Sequence, residues 1–214
     1  MGIKCAIRNV SPLANNDRTK CPDRPGHQAP PKRYAQARVA PGSPPGQGST
    51  RILGVDTSLR STGLALIQAR GSLYQTLEYD LVKNPPGRPL SACLEYLARA
   101  LSEIITRGKP QAAALEGIFF CKNVKTAVIL GEARGVVIAA CSAAGVPVYE
   151  YSPRRVKQAV VGFGNAGKEQ VRKMVMAILK LDETPHEDAA DALAIALCHL
   201  HTVGRYAGLT AKAI

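Results

Sequence analysis

The sequence predicts an α/β domain built on a mixed sheet with helices on its faces. Three observations predict it. Three short apolar, strand-like runs follow one another directly after residue 50, helix-period and strand-like segments then alternate to about residue 203, and residues 1–50 show no period at all.

Residues 1–50 are dominated by Pro, Gly, Asn, Gln and Arg and end in PPKRYAQARVAPGSPPGQGST. Such a segment buries too little apolar surface to offset its ordering entropy, so a disordered basic tail, dispensable for the chemistry, is expected there. A targeting segment or a start placed too far upstream reads the same way; with no apolar signal core, secretion is not expected.

RILGVDT is a short apolar strand, STGLALIQ a second after a brief turn, and SLYQTLEYDLVK a third, which makes an opening meander. In RPLSACLEYLARALSEIITRG the positions Leu90, Cys93, Leu94, Leu97, Leu101, Ile104 and Ile105 keep one buried helical face, and Gly108-Lys109-Pro110 stops it. AAALEGI is a buried strand. Val124 to Ala144 reads as a helix whose Gly131, Ala133, Gly135, Ala139 and Ala140 allow close approach of the sheet or of a second subunit. VPVYEYS is a further strand, and SPRRVKQAVV a short helix with Ser152 as N-cap and Pro153 at its first position. Two more helices cover Lys168–Lys180 and Glu187–Val203. The first and fourth strands are expected side by side and parallel. The folded domain is placed at 51–204, with a flexible C-terminal tail at 205–214.

The chain has 214 residues, a formal net charge of +12 and a pI near 9.7, which points to a polyanionic partner. The six cysteines form no CxxC pair and no zinc spacing, so reduced thiols and a cytoplasmic location are expected. No uninterrupted apolar run approaches the roughly 18–20 residues of a membrane span.

Against this basic background four acids stand in apolar or small-residue surroundings: Asp56 in RILGVDTS, Glu116 in AAALEGIFF, and Asp188 and Asp191 in EDAADALAIAL. Asp56 and Glu116 end strands expected to be parallel neighbours, so both reach the same carboxyl edge. Asp188 and Asp191, three apart, share one face at the start of the last helix. Taken singly, each has an ordinary explanation as a turn, edge or helix-dipole residue. Together they form an oxygen-only cluster whose repulsion a hard divalent cation, Mg²⁺ or Mn²⁺, would relieve. Two such ions, about 3.5–4 Å apart, serve in-line phosphoryl displacement.

Several lesser motifs resolve against function. Gly162, Gly164 and Gly167 spell GxGxxG before Lys168, but the motif leaves a helix rather than a strand, so a mobile loop is expected and not a dinucleotide site. His186, just before the acids, is a candidate for metal or proton transfer and equally a cap residue; His199 and His201 lie too far along the helix.

Through GVDTSLRSTG, LEGIFFCKNVKTAVILGEARGV, YSPRRVKQAVVGFGNAGKEQV and DAADALAIALCHLH, the domain resembles the RuvC Holliday-junction resolvases of the ribonuclease H-like superfamily. The resemblance implies a ribonuclease H-like mixed five-stranded sheet with helices on both faces. It also implies a homodimer that binds four-way junction DNA and makes paired, symmetric, Mg²⁺-dependent nicks in strands of like polarity, leaving 5'-phosphates. Two ions per subunit, with Mn²⁺ as a substitute, and a branch-migration complex of RuvA and RuvB type belong to the same implication. The catalytic, metal-binding tetrad matches Asp56, Glu116, Asp188 and Asp191.

The resemblance selects Phe119 of the Phe119-Phe120 pair as a wedge against unstacked bases. Lys122, Lys125 and Arg155 add positive charge for DNA, and Lys157 and Lys168 match basic positions that face DNA near the metals. The pattern departs at Thr57-Ser58-Leu59, where the family usually carries Pro-Gly-Ser; losing that glycine is expected to alter the loop beside Asp56. A non-catalytic junction-binding protein would share the basic face. An actin-like ATPase opens with a similar strand and hairpin, but needs a second lobe for which the folded residues leave no room.

Overall fold

The computed structural model describes residues 48–117, 123–205 and 213–214. The expected tail through residue 47, Phe119 and Lys122 lie outside the described residues, as do 206–212 of the expected C-terminal tail. The elements run β1 (Ser49–Asp56), β2 (Ser61–Arg70), β3 (Leu73–Lys83), α1 (Leu90–Gly108), β4 (Ala112–Glu116), α2 (Val124–Ala143), β5 (Val148–Tyr151), α3 (Pro153–Val161), α4 (Lys168–Leu179) and α5 (Glu187–Arg205).

The five strands form a mixed sheet of order β3-β2-β1-β4-β5. β1 pairs antiparallel with β2 and parallel with β4, and β4 pairs parallel with β5. The side-by-side parallel placement of the first and fourth strands is therefore observed. At the outer edge of β5, Ala213 bridges Tyr149 and the Ile214 amide donates to the Val148 carbonyl at 3.0 Å.

Strand alternation sorts the sheet into two faces. Ile52, Ala65, Ile67, Ala112 and Ala114 point into a core shared with α3, α4 and α5. Leu53, Val55, Leu64, Ala113 and Leu115 point into the other, shared with α1 and α2. The same alternation assigns the strand ends. Asp56 shares the face of Ile52 and Gly54, and Glu116 that of Ala112 and Ala114, so both carboxylates are on the side where α5 lies.

The helices end where local chemistry ends them. Ser152 Oγ accepts from the Arg155 amide at 3.1 Å with Pro153 following, and Gly162, at φ 99°, closes α3 in a conformation that glycine adopts without strain. The GxGxxG stretch thus links two helices, as expected. In α1, Cys93, Leu97, Leu101, Ile104 and Ile105 are buried, whereas Leu90 is exposed because it is the first helical residue and overhangs the core.

α2 corrects one expectation. It buries Ala133, Val137 and Cys141, but a Cβ on Gly131 or Gly135 would meet nothing within 4 Å, so these small residues do not serve close packing on the sheet. Val124 and Val128 are exposed as well. With a mean hydropathy of 1.5 over an 18-residue window, α2 is long and apolar enough to cross a membrane by length and composition alone, although Glu132 and Arg134 interrupt it.

Candidate active site

α5 delivers its acids to the sheet edge because two strand glycines leave room for it. An ideal Cβ on Gly54 would lie 2.1 Å from the Ala192 carbonyl oxygen, and one on Gly63 2.0 Å from that of Asp188. Gly63 is also the cross-strand partner of Asp56. Backbone therefore packs on backbone where the carboxylates meet, an arrangement only glycine permits. These two glycines were not singled out from the sequence, although a glycine inside a strand pattern is the signal for such an approach.

The four acids interact. Asp56 is pushed up to about 7, first by burial and then by the charges of Asp191, Glu116 and Asp188, with Lys168 opposing. Glu116 is raised by burial and by Asp191, against Lys168 and Lys157. Asp191 is raised by burial, with Lys168 and Lys157 again opposing and Glu187 and Asp188 adding to the rise. Buried, mutually repelling carboxylates with an excess of negative charge form a donor set suited to a hard divalent cation. Among the described residues no three His, Cys, Asp or Glu side chains yet converge on a single ion-sized point.

Neighbouring side chains hold the acids from both sides. Ser61 Oγ donates to Asp188 Oδ2, and Lys168 Nζ pairs with Glu187 and lies 3.8 Å from Asp191 Oδ2. Arg134 donates to the Glu116 carbonyl oxygen at 3.0 Å and to Glu150 Oε2 at 2.7 Å, which ties the end of β4 to β5. Ser61, Arg134 and Glu150 had no distinguishing signal in the sequence. A small pocket of about 70 Å³ opens at the β1–β4 edge, lined by Asp56, Thr57, Glu116, Gly117, Leu130 and Arg134. At roughly 10–15 Å³ per water, it accommodates ions and a few waters but no nucleotide, so a polymeric substrate has to lie across its mouth.

The altered loop after Asp56 carries no backbone strain. Among the described non-glycine residues only Lys109 and Lys180 have positive φ, so Ser58 needs no glycine-like conformation. Thr62 Oγ1 donates to the Ser58 carbonyl and accepts from the Ser58 amide, Leu59 is buried, and Asn84 Nδ2 donates to the Leu59 carbonyl at 2.8 Å. Thr57 Oγ1 is left buried without a hydrogen-bond partner.

The histidines separate as follows. His186 accepts the Asp188 amide at 3.4 Å, and its own carbonyl starts α5 by accepting from Ala190, so it occupies a cap position, with Nδ1 3.6 Å from Asp188 Oδ2. His199 is buried, bonded to Tyr151 Oη at 2.8 Å, and burial lowers it to about 4. It is neutral and remote from the acids.

Of the basic residues expected to meet DNA, Lys157 and Lys168 act electrostatically on the acids. Lys125 is exposed on the first turn of α2. Arg155 is half-buried, and its charge acts on Tyr151 and Cys198 rather than on the acids. The loop between α3 and α4 also presents Phe163, half exposed, beside a Gly164 on which Arg154 packs.

Comparison with known proteins agrees with this arrangement. The family model described as "Crossover junction endodeoxyribonuclease RuvC" matches residues 52–199. A protein of that name from Alkalilimnicola ehrlichii is 48% identical over 159 residues, spanning 74% of this chain and 96% of its own length. Another, from Pelotomaculum thermopropionicum, is 46% identical over 151 residues, spanning 70% and 92%. The structure of Thermus thermophilus RuvC in complex with Holliday junction substrate superposes with a TM-score of 0.73 at 36% identity, covering 77% of this chain and 99% of that one. The yeast mitochondrial Holliday junction resolvase Ydc2, at 11% identity and a TM-score of 0.54 over 71% and 79% of the two chains, shares the fold. With its sheet order, its helices on both faces and near full-length coverage of these relatives, the chain belongs to the RuvC family of crossover junction endodeoxyribonucleases.

Proposed function

We propose that this chain cuts four-way DNA junctions by metal-dependent hydrolysis at Asp56, Glu116, Asp188 and Asp191. The observation that carries the reading is the mutual perturbation of these buried acids at one sheet edge, next to Lys157 and Lys168. When bound there, Mg²⁺ or Mn²⁺, two ions per subunit, supplies Lewis-acid activation of water and stabilisation of the leaving oxygen.

The protein's own groups set the stage for that chemistry. Asp56 and Glu116 present carboxylate oxygens from rigid strand ends, and Asp191 presents its own from the first turns of α5. Lys168, already opposed to Asp191, offsets negative charge where a phosphate approaches. Lys125, Arg155 and Lys157 extend positive potential along the DNA side, and Phe119 and Lys122 complete it in the reading drawn from the resemblance.

A homodimer supplies the second active site needed for paired, symmetric nicks. The exposed apolar face of α2, with Val124, Val128, Gly131 and Gly135 open, suits a second copy. A cytoplasmic enzyme working with a branch-migration complex follows from the same reading. Incubation of the purified protein with a mobile four-way junction and with a linear duplex of the same sequence tests it. Paired nicks confined to the junction and lost in EDTA are expected, whereas equal cutting of both substrates would refute junction selectivity.

A further inference from the structure

The Thr57 hydroxyl has no role in the fold. Its Oγ1 is buried without a partner, and the residue lines the pocket together with Asp56 and Glu116. The loop around it is fixed by the Thr62–Ser58 pair and by the bond from Asn84 to the Leu59 carbonyl, so the backbone cannot swing the hydroxyl out to solvent. A desolvated hydroxyl without a partner destabilises the protein unless a ligand brings the missing hydrogen bond.

The pocket limits what that ligand can be. Asp56 and Glu116 repel an anion that arrives alone, and a bare cation satisfies itself on carboxylate oxygens before a neutral hydroxyl. Water hydrating such a cation is polarised into a strong donor and needs an acceptor close to the carboxylates. Thr57 Oγ1 is that acceptor.

We propose that Thr57 is a positioning residue of the carboxylate site, its hydroxyl taking a hydrogen bond from a water that hydrates the divalent cation at Asp56 and Glu116. The proposal rests on the reading of these two acids as cation ligands. It separates Thr57 from a residue that only fills space, because the hydroxyl costs stability without metal and contributes affinity with it.

The test uses full-length protein, with Thr57→Val, which keeps the shape and removes the hydroxyl, Thr57→Ser, which keeps the hydroxyl, and Thr57→Ala as a second deletion. Melting temperature is recorded in EDTA and across a Mg²⁺ titration, with Asp191→Asn as a control for the site. Thr57→Val is expected to melt at or above the wild-type temperature in EDTA. It should need roughly three- to tenfold more Mg²⁺ for half of the metal-induced stabilisation, the range for one net hydrogen bond. Thr57→Ser should stay within about twofold of wild type and Thr57→Ala should follow valine. An unchanged Mg²⁺ midpoint in Thr57→Val and Thr57→Ala, beside a wild type that responds to Mg²⁺ and an Asp191→Asn variant that does not, overturns the inference alone. A wild type with no Mg²⁺-induced stabilisation overturns the cation reading and this inference with it.

Discussion

The carbonyl oxygen of Asp188 stands 2.0 Å from the point where a Cβ on Gly63 would sit. Any side chain at Gly63 therefore pushes the start of α5, and with it Asp188 and Asp191, away from Asp56. Gly63→Ala is expected to destabilise by about 1–3 kcal/mol or more as an overpacked site, lowering the melting temperature by about 2–4 °C per kcal/mol. Junction cutting should fall by more than the loss of folded protein explains. Thermal unfolding and initial cutting rates at a temperature where the variant is fully folded measure the two effects.

Asp56 makes the metal-free protein less stable as pH rises. Its folded value is about 7 against an ordinary 3.8, so between these limits the folded state binds more protons than the unfolded one. Its stabilising share is complete below about pH 4 and is lost as pH climbs through 7. In EDTA, denaturant unfolding of wild type compared with Asp56→Asn should show the variant gaining relative stability from pH 4 to pH 8. Saturating Mg²⁺ should remove that gain by stabilising the ionised wild-type site alone. A constant difference across this range would contradict the assigned burial and repulsion.

Lys168 lowers the pKa values of Asp56, Glu116 and Asp191. Removing its charge should raise all three, so the acid limb of the pH–rate profile of Lys168→Ala moves to higher pH, while Lys168→Arg keeps it near wild type. The loss of rate should be roughly ten- to a hundredfold at neutral pH, because charge aimed at the transferred phosphoryl group is lost too. Single-turnover cutting between pH 6 and pH 9 measures this, and an unmoved limb would show that Lys168 acts on DNA affinity alone.

The face of α2 should be a subunit contact. Val128 is exposed on an apolar helix whose Gly131 and Gly135 meet open space, so Val128→Glu is expected to convert dimers to monomers without lowering monomer stability. Sedimentation at micromolar protein distinguishes the two species. Paired nicking should fall to uncoupled single nicks.

Much of this site was readable because carboxylates in Asp56, Glu116 and Asp191 interrupt apolar segments, and because strand alternation fixes the face on which a strand-end acid emerges. The spacers Gly54 and Gly63 went unread, since their meaning depends on which helix crosses them, and that pairing joins residues more than a hundred positions apart. The loop at Thr57-Ser58-Leu59 was read as a geometric problem from its missing glycine. Instead the backbone stays in ordinary conformations, Leu59 turns into the core, and what changes is the hydroxyl of Thr57 beside the acids. Arg134 gave no signal either, because its partners are a backbone carbonyl on β4 and a carboxylate on β5 that only the sheet order brings together.

Asp191→Asn tests the central claim most directly, because it removes one ionisable oxygen while preserving shape on the first turns of α5. Mapped nicks on a mobile four-way junction in Mg²⁺ should be paired and symmetric for wild type. The variant should bind the junction with affinity within a few-fold of wild type and leave no nicks. Full cutting by Asp191→Asn would contradict the assignment of the four acids as the catalytic centre.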